Sequence, residues 1–289
     1  MRISGKTQLI GLFADPVKHS LSPAMHNTAF EQLGLDYRYL AFEVQDEDLS
    51  NALIGAKALN MRGFNVSMPH KQAIIPYLDD LSPAARLIGA VNTVVNENGR
   101  LIGHITDGSG AMRALTENGV RIENQTITLA GTGGAGFAIA IQAALDGAKQ
   151  INIFNRKSGN FAKAQDLAEK INKKTNANAQ AFDLEDQTLL TEKLQESSIF
   201  INATSVGMAP NTEECIIKDP KILHEKLVVM DIVYNPRQTK LLRIAKENDA
   251  KLAIDGLGML LYQGSEAFKL WTGQEMPIKS VKDVLFKEE

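Results

Sequence analysis

The chain has 289 residues, enough for two modest cores, and its 44% hydrophobic and 22% charged residues are those of an ordinary water-soluble globular protein. A formal net charge of −3 argues against a nucleic-acid binder, which carries a basic surplus. The single cysteine, Cys215, cannot close an internal disulfide, and the apolar part of "MRISGKTQLIGLF" is too short for a signal peptide or a membrane span, so the expected setting is the reducing cytoplasm with no membrane partner.

In chain order, "TQLIGLF" predicts a buried strand ending at Phe13, and "PAMHNTAFEQLG" a helix with Pro23 at its first position and Gly34 as its stop. "DYRYLAFEV" is strand-like, "DEDLSNALIGAKALN" has apolar residues at helical spacing, and "RGFNVSM" is a third short strand. "AVNTVVNENGRLIGHITD" predicts a hairpin about Asn98-Gly99, a pair suited to a primed turn. A helix, "DGSGAMRALTENG", follows. Then "QTITLAGTGGAGFAIAIQAALDGAKQINIFNRK" gives strand, glycine-rich turn, apolar helix and strand in one βαβ unit. Further strands are expected at "AQAFD", "SIFINAT", "KLVVMDIVY" and "AKLAID", with "KINKKTNAN" as a solvated helix end and loop. The last apolar helix, "GLGMLLYQGSEAFKLWTG", can pack back on the first domain. The expected organisation is an α/β fold in two domains, residues 1–106 plus 256–289 for substrate and 107–255 as a Rossmann-type, doubly wound dinucleotide-binding domain.

Gly131, Thr132, Gly133, Gly134, Ala135 and Gly136 satisfy G-x-G-x-x-G. The pattern alone is weak, because glycine-rich turns are common. Here it leaves a strand and opens a helix, where glycines let the backbone approach a pyrophosphate and the helix end offers free N–H groups. The second strand ends in Asn155-Arg156-Lys157, where an NAD site usually has a carboxylate for the ribose 2′-OH. Two cations there suit a 2′-phosphate, which favours NADP. The plainer alternative is a pair of solvated cations, with NAD held through the backbone.

Polar clusters lie at strand ends of the first domain. Ser20 and Ser22 alternate by two, so an extended segment would turn both hydroxyls to one side, and Asn65 and Ser67 repeat the pattern ahead of Lys71. Asn92 and Asp107 follow. Singly each is an ordinary loop or cap residue; together they suggest a pocket for a hydroxylated small molecule, with one lysine and one aspartate for proton chemistry. His19, His26, His70 and His104 compete for that role, but none has ligand spacing, so no metal site is expected. His70 is the strongest rival, ranked below Lys71 because neighbouring side chains diverge in an extended segment.

Taken together, "HSLSPAMHN", "NVSMPHK", "GAVNTVV", "GHITDGSG", "GTGGAG", "INATSVGM", "DIVYNP" and "GLGMLLYQGSEAF" run nearly end to end in an order that resembles the shikimate dehydrogenases. "NRK" and "GSEAFKLWTG" resemble the quinate/shikimate dehydrogenase branch. The resemblance implies reversible reduction of 3-dehydroshikimate to shikimate. It implies that Ser20 and Ser22 hold the substrate carboxylate and that Asn65, Ser67, Asn92 and Asp107 meet ring hydroxyls. Lys71 becomes the catalytic lysine paired with Asp107, and Tyr234 and Gln263 become further substrate contacts. For the cofactor it implies Gly131 to Ala135, the turn Asn155, Arg156, Lys157 and Ser158, then Ser205, Ile232, Val233, Tyr234, Asn235 and Gly256. Ser67 replaces a commoner threonine and keeps its hydroxyl, whereas Ile105 replaces an asparagine and loses a polar contact. Ser158 stands where the quinate-using branch often has an acid, which weakens the case for NAD.

An ordinary lysine titrates near about 10.4, so Lys71 can donate a proton; whether it serves as base or as electrostatic stabiliser in reverse stays open. Three alternatives accompany this reading: an enzyme of dual substrate and dual cofactor use, a non-catalytic nicotinamide-nucleotide sensor, and a folate-type dehydrogenase that leaves the hydroxyl clusters unexplained. With substrate and cofactor groups on different domains, closure is expected. Oligomeric state is not legible, and a homodimer stays open.

Overall fold

The computed structural model describes residues 3–158 and 161–286. The chain divides into two units, residues 1–106 with 261–289 and residues 107–260.

Unit 1 begins with β1 (Gln8–Ala14), α1 (Ser22–Gln32), β2 (Tyr37–Glu43), α2 (Leu49–Ala58) and β3 (Gly63–Val66). It continues through β4 (Asp80–Leu81), α3 (Pro83–Ile88), β5 (Thr93–Glu97) and β6 (Arg100–His104). The six strands lie in the order β2-β1-β3-β5-β6-β4. β1 is parallel to β2 and β3, and β5 is antiparallel to β3 and β6. The β5–β6 hairpin turns at Asn98 and Gly99, with φ of 54° and 91°, the two left-handed positions of the expected primed turn.

Unit 2 runs α4 (Asp107–Thr116), β7 (Thr126–Ala130), α5 (Gly134–Leu145), β8 (Gln150–Asn155), α6 (Phe161–Lys174) and β9 (Asn178–Asp183). Then come α7 (Gln187–Gln195), β10 (Ile199–Asn202), β11 (Val228–Asp231), α8 (Lys240–Glu247) and β12 (Leu252–Ile254). Its strands are all parallel, in the order β12-β11-β10-β7-β8-β9. Counted from β7, that is the doubly wound order 3-2-1-4-5-6 read from the other edge, with the reversal between β7 and β10. Every residue of β10 and β11 is buried. Because side chains alternate across a strand, both faces of the sheet are covered, as a parallel sheet requires.

The chain closes with α9 (Gly256–Thr272) and α10 (Ile278–Leu285). The second boundary falls at 260/261, inside α9, where the sequence reading put it at 255/256. The cause is close packing of the helix's first turn within unit 2: a Cβ on Gly256 would lie 2.2 Å from the Ile232 carbonyl oxygen. Further along, the Trp271 indole N–H donates to the Val94 carbonyl at 3.0 Å, and Arg62 Nε donates to the Trp271 carbonyl at 2.8 Å, so the end of α9 belongs to unit 1. Among the described residues no helix is long and apolar enough to cross a membrane.

Candidate active site

In unit 1 the polar residues form one hydrogen-bonded chain. The Tyr39 hydroxyl donates to Asn65 Oδ1 at 2.7 Å, and the Ser22 hydroxyl bonds to Tyr39 as well. Asn65 Nδ2 donates to the Asn92 carbonyl and to Thr93 Oγ1, each at 3.0 Å. Thr93 in turn donates to Asn92 Oδ1 at 3.0 Å, which also accepts the Thr106 backbone N–H at 2.9 Å. Asn92 Nδ2 donates to Thr106 Oγ1 at 3.0 Å and to Gln263 Oε1 at 3.4 Å. Ser22, Asn65, Asn92 and Gln263 were expected near substrate; Tyr39, Thr93 and Thr106, which join them, were not. Both Asn65 amide hydrogens are engaged within the unit, so what Asn65 offers a ligand is an acceptor oxygen. Burial pushes the Tyr39 hydroxyl far above the ordinary phenol range against the Ser22 hydrogen bond, so it stays a donor.

Residues 18–19 form a turn, Leu21 is helical and Ser22 opens α1, so Ser20 and Ser22 do not alternate along an extended segment. They are linked instead by the Ser22 N–H donating to Ser20 Oγ at 3.2 Å, with Ser22 buried and Ser20 half-buried. Ser67 directly follows β3, and its N–H continues the ladder to the Phe13 carbonyl at 3.0 Å.

Lys71 is half-buried and lies in a turn of residues 68–74, not in an extended segment. Divergence of neighbouring side chains along an extended backbone therefore does not separate it from His70; burial does. His70 is shut off from solvent, with Nε2 at 2.7 Å from the Val44 carbonyl and Nδ1 at 3.2 Å from Asp46 Oδ1. Nε2 ties Val44 to the turn, while Nδ1 makes no hydrogen bond among the described residues. His26 is also fully buried, stacked on Tyr39 at 4.6 Å between centroids, and among the described residues neither ring nitrogen has a hydrogen-bond partner. Burial lowers its imidazole to about 3, so it is neutral at working pH. His104 is half-buried and lowered by burial, with Glu97 opposing. His19 is exposed. Ile105 is buried, as befits the apolar replacement noted above. Among the described residues no group of three or more His, Cys, Asp or Glu side chains could hold a metal ion.

In unit 2 the glycine turn links β7 to α5 at the sheet's carboxyl edge. Gly131 has φ of 96°, and a Cβ there would lie 2.7 Å from Thr204 Cγ2 and 2.8 Å from the Ala203 oxygen. A Cβ on Gly136 would lie 2.1 Å from the Gly131 oxygen, so the helix start is pressed against the turn, while Gly133 faces open space. Thr132 is buried and its Oγ1 accepts from Asn155 Nδ2 at 2.7 Å, fastening the turn to the end of β8. Arg156, Lys157 and Ser158 are exposed. Lys157 Nζ is 3.7 Å from Asp183 Oδ2, and the Ser158 hydroxyl donates to Glu185 at 3.1 Å. Arg156 makes no ion pair among the described residues. A closely approachable backbone, a free helix start and an available guanidinium fit a phosphorylated dinucleotide.

The loops after β10 and β11 carry Ser205 (exposed), Val233 (buried), Ile232 and Tyr234 (half-buried) and Asn235 (exposed). Beneath them Asn202 Nδ2 donates to Asp231 Oδ1 at 3.0 Å, and the Thr239 hydroxyl donates to Oδ2 at 2.7 Å. Burial raises the Asp231 carboxyl to about 6 despite those bonds, and burial also raises the Tyr234 phenol. Burial raises the Cys215 thiol too, and Cys215 packs against the unit's apolar core, which suits a passive residue rather than a nucleophile. Asp107 is buried at the first position of α4.

Three family descriptions match the chain: the shikimate dehydrogenase substrate binding domain over residues 12–94, shikimate/quinate 5-dehydrogenase over 113–257, and the shikimate 5′-dehydrogenase C-terminal domain over 256–286. A shikimate dehydrogenase (NADP(+)) of Streptococcus uberis is 58% identical, with 100% of this chain and 98% of the relative covered. The crystal structure of a Listeria monocytogenes shikimate 5-dehydrogenase in complex with shikimate and NAD superimposes with a TM-score of 0.96 at 55% identity, over 99% of both chains. A quinate dehydrogenase of Corynebacterium glutamicum in complex with NAD gives a TM-score of 0.87 at 29% identity, over 97% of this chain and 99% of that one.

Proposed function

The chain belongs to the shikimate dehydrogenase family, and from that premise we propose which of its residues carry the reaction. It is an oxidoreductase that interconverts 3-dehydroshikimate and shikimate with NADP. We assign substrate to the 1–106 and 256–289 segments and the dinucleotide to 107–255.

The nicotinamide, when bound, supplies or accepts the hydride. Every other task falls to the protein. In reduction the new alkoxide must gain a proton, and we assign its donation to the Lys71 ammonium; in oxidation the same group takes the proton back. Asp107 is assigned to hold that ammonium and to accept from a ring hydroxyl. Ser20 and Ser22 offer hydroxyls to the substrate carboxylate, while Asn65, Ser67, Asn92, Tyr234 and Gln263 are assigned to the ring. A polyol needs both donors and acceptors at fixed positions, and a prearranged set of amides and hydroxyls supplies them without reorganisation. The single supporting observation is the continuous hydrogen-bonded chain from Ser22 through Tyr39, Asn65 and Asn92 to Gln263.

On the cofactor, Gly131 to Ala135 receive the pyrophosphate, and Asn155, Arg156, Lys157 and Ser158 the adenosine ribose and its 2′-phosphate. Ser205, Ile232, Val233, Tyr234, Asn235 and Gly256 are assigned to the remaining half. One cysteine and no membrane-crossing helix among the described residues support a cytoplasmic location. Light scattering distinguishes monomer from homodimer.

The test is a matrix of kcat/KM for shikimate and quinate with NADP and NAD. The reading expects the shikimate and NADP pair to exceed the other three. Comparable values for quinate, the substrate named for the Corynebacterium relative, would move the chain to dual use. Cofactor binding without polyol-dependent reduction would identify a sensor.

A further inference from the structure

Asn202 and Asp231 are the last residues of neighbouring parallel strands and stand opposite each other in register. Both are buried, and their side chains are joined at 3.0 Å. Each also holds the loop that follows its own strand. Asn202 Oδ1 accepts the Thr204 N–H at 3.1 Å and the Thr204 hydroxyl at 2.7 Å, and its Nδ2 also reaches the Val206 carbonyl at 3.3 Å. Asp231 Oδ1 accepts the Val233 N–H at 3.1 Å. Its Oδ2 accepts the Thr239 hydroxyl at 2.7 Å, and Thr239 Oγ1 caps α8 by accepting from the Leu242 N–H at 3.4 Å. One contact therefore fixes the path of residues 203–206 and of 232–239.

We propose that Asn202 and Asp231 are the positioning pair for the nicotinamide half of the cofactor, setting the shape of the two loops that receive it. The inference rests on the NADP-dependent reading above. In a doubly wound sheet a dinucleotide lies outside the carboxyl ends of the strands at the reversal of strand order, one nucleotide to each half. The glycine turn and Arg156 belong to the β7–β9 half and take the phosphates and the 2′-phosphorylated ribose. The β10–β12 half is left for the nicotinamide, and its first two loops are the ones this pair holds. Three donors converge on Asp231: a side-chain amide, a backbone N–H and a hydroxyl. A carboxylate accepts from all three. Alanine there leaves all three without their acceptor and frees both loops, whereas an asparagine keeps the two N–H donors on its oxygen and turns its NH2 on the Thr239 hydroxyl, which accepts as well as donates.

The experiment compares binding of NADP with binding of adenosine 2′,5′-bisphosphate, which carries the 2′-phosphate but lacks the nicotinamide. For Asp231→Ala and Asn202→Ala the expected result is about a tenfold weaker Kd for NADP, with the bisphosphate within about twofold of the parent. Turnover is expected to fall by up to about 100-fold, because hydride transfer is sensitive to small misplacement. Thr239→Val is expected to reproduce the loss and Thr239→Ser to restore affinity. Equal weakening of both ligands, or of neither, overturns the proposal. Should Asp231→Ala not fold, Asn202→Ala decides by the same criterion. A parent protein that binds neither ligand refutes the dinucleotide reading itself, an outcome distinct from the other two.

Discussion

The Tyr39 hydroxyl donates to Asn65 Oδ1 at 2.7 Å, with both side chains buried in unit 1 and 26 residues apart in the chain. Tyr39 belongs to none of the motifs that carry the family resemblance, yet it joins Ser22 at the start of α1 to Asn65 in β3. Its position matters because a buried Asn amide that loses its donor can rotate to find another.

Tyr39→Phe removes the hydrogen bonds to Asn65 and to Ser22 and leaves the Asn65 oxygen without its donor. The expected cost is about 1–2 kcal/mol of stability. The expected kinetic effect is about a five- to tenfold rise in KM for shikimate, with KM for NADP unchanged, because the disturbance is confined to unit 1. Steady-state kinetics with each ligand varied in turn measures this. An equal rise in both KM values would mean that Tyr39 supports the fold generally and not the substrate side.

The buried His26 ring makes stability depend on acid. Burial holds its imidazole at about 3 in the folded chain, whereas an unfolded histidine titrates near about 6.5. The unfolded chain takes up the proton first, so stability falls as the pH drops below about 6.5 and goes on falling to about 3. Between pH 7 and 5 the loss from this one group is about 2 kcal/mol. Asp231, raised to about 6, has the opposite sign: the folded chain binds its proton first and gains stability as the pH falls through that value. Urea unfolding at several pH values, for the parent and for His26→Leu, isolates the histidine. The variant is expected to show the shallower acid slope whatever its baseline, and parallel profiles would exclude His26 as the source.

At the ribose end the two cations are unequal. Lys157 is 3.7 Å from the Asp183 carboxylate, while Arg156 has no ion pair among the described residues. Arg156→Gln is therefore expected to raise KM for NADP about tenfold and to leave KM for NAD within about twofold. Lys157→Gln is expected to have about a threefold effect on NADP at most. Equal losses with both cofactors from Arg156→Gln would show that the guanidinium does not read the 2′-phosphate.

Local chemistry made much of the fold legible. Asn98-Gly99 specifies a primed turn within two residues, and the glycine pattern after "TITLA" specifies a strand-to-helix turn within six. The short helix α3 went unread although its marks are present: Ser82 caps it by accepting from the Ala85 N–H at 3.2 Å, Pro83 stands in its first turn, and Gly89 ends it at φ 74°. Ser20 and Ser22 misled because alternation presumes extended backbone, while Ser22-Pro23 is itself a helix-start signal. The link from Asn92 to Gln263 spans 171 residues, and the Asn202, Asp231 and Thr239 cluster joins two loops, so neither has a local signature. The sequence named Ser22, Asn65, Asn92 and Gln263 of the first network but not Tyr39, Thr93 and Thr106, which join them, and of the second it named only Val233.

The assignment of proton transfer to Lys71 is tested most directly by the turnover of Lys71→Ala under saturating shikimate and NADP, alongside its Kd for NADP. The account predicts a fall in kcat of about 100- to 10,000-fold, with the Kd within about twofold of the parent. A kcat within about threefold of the parent would contradict it.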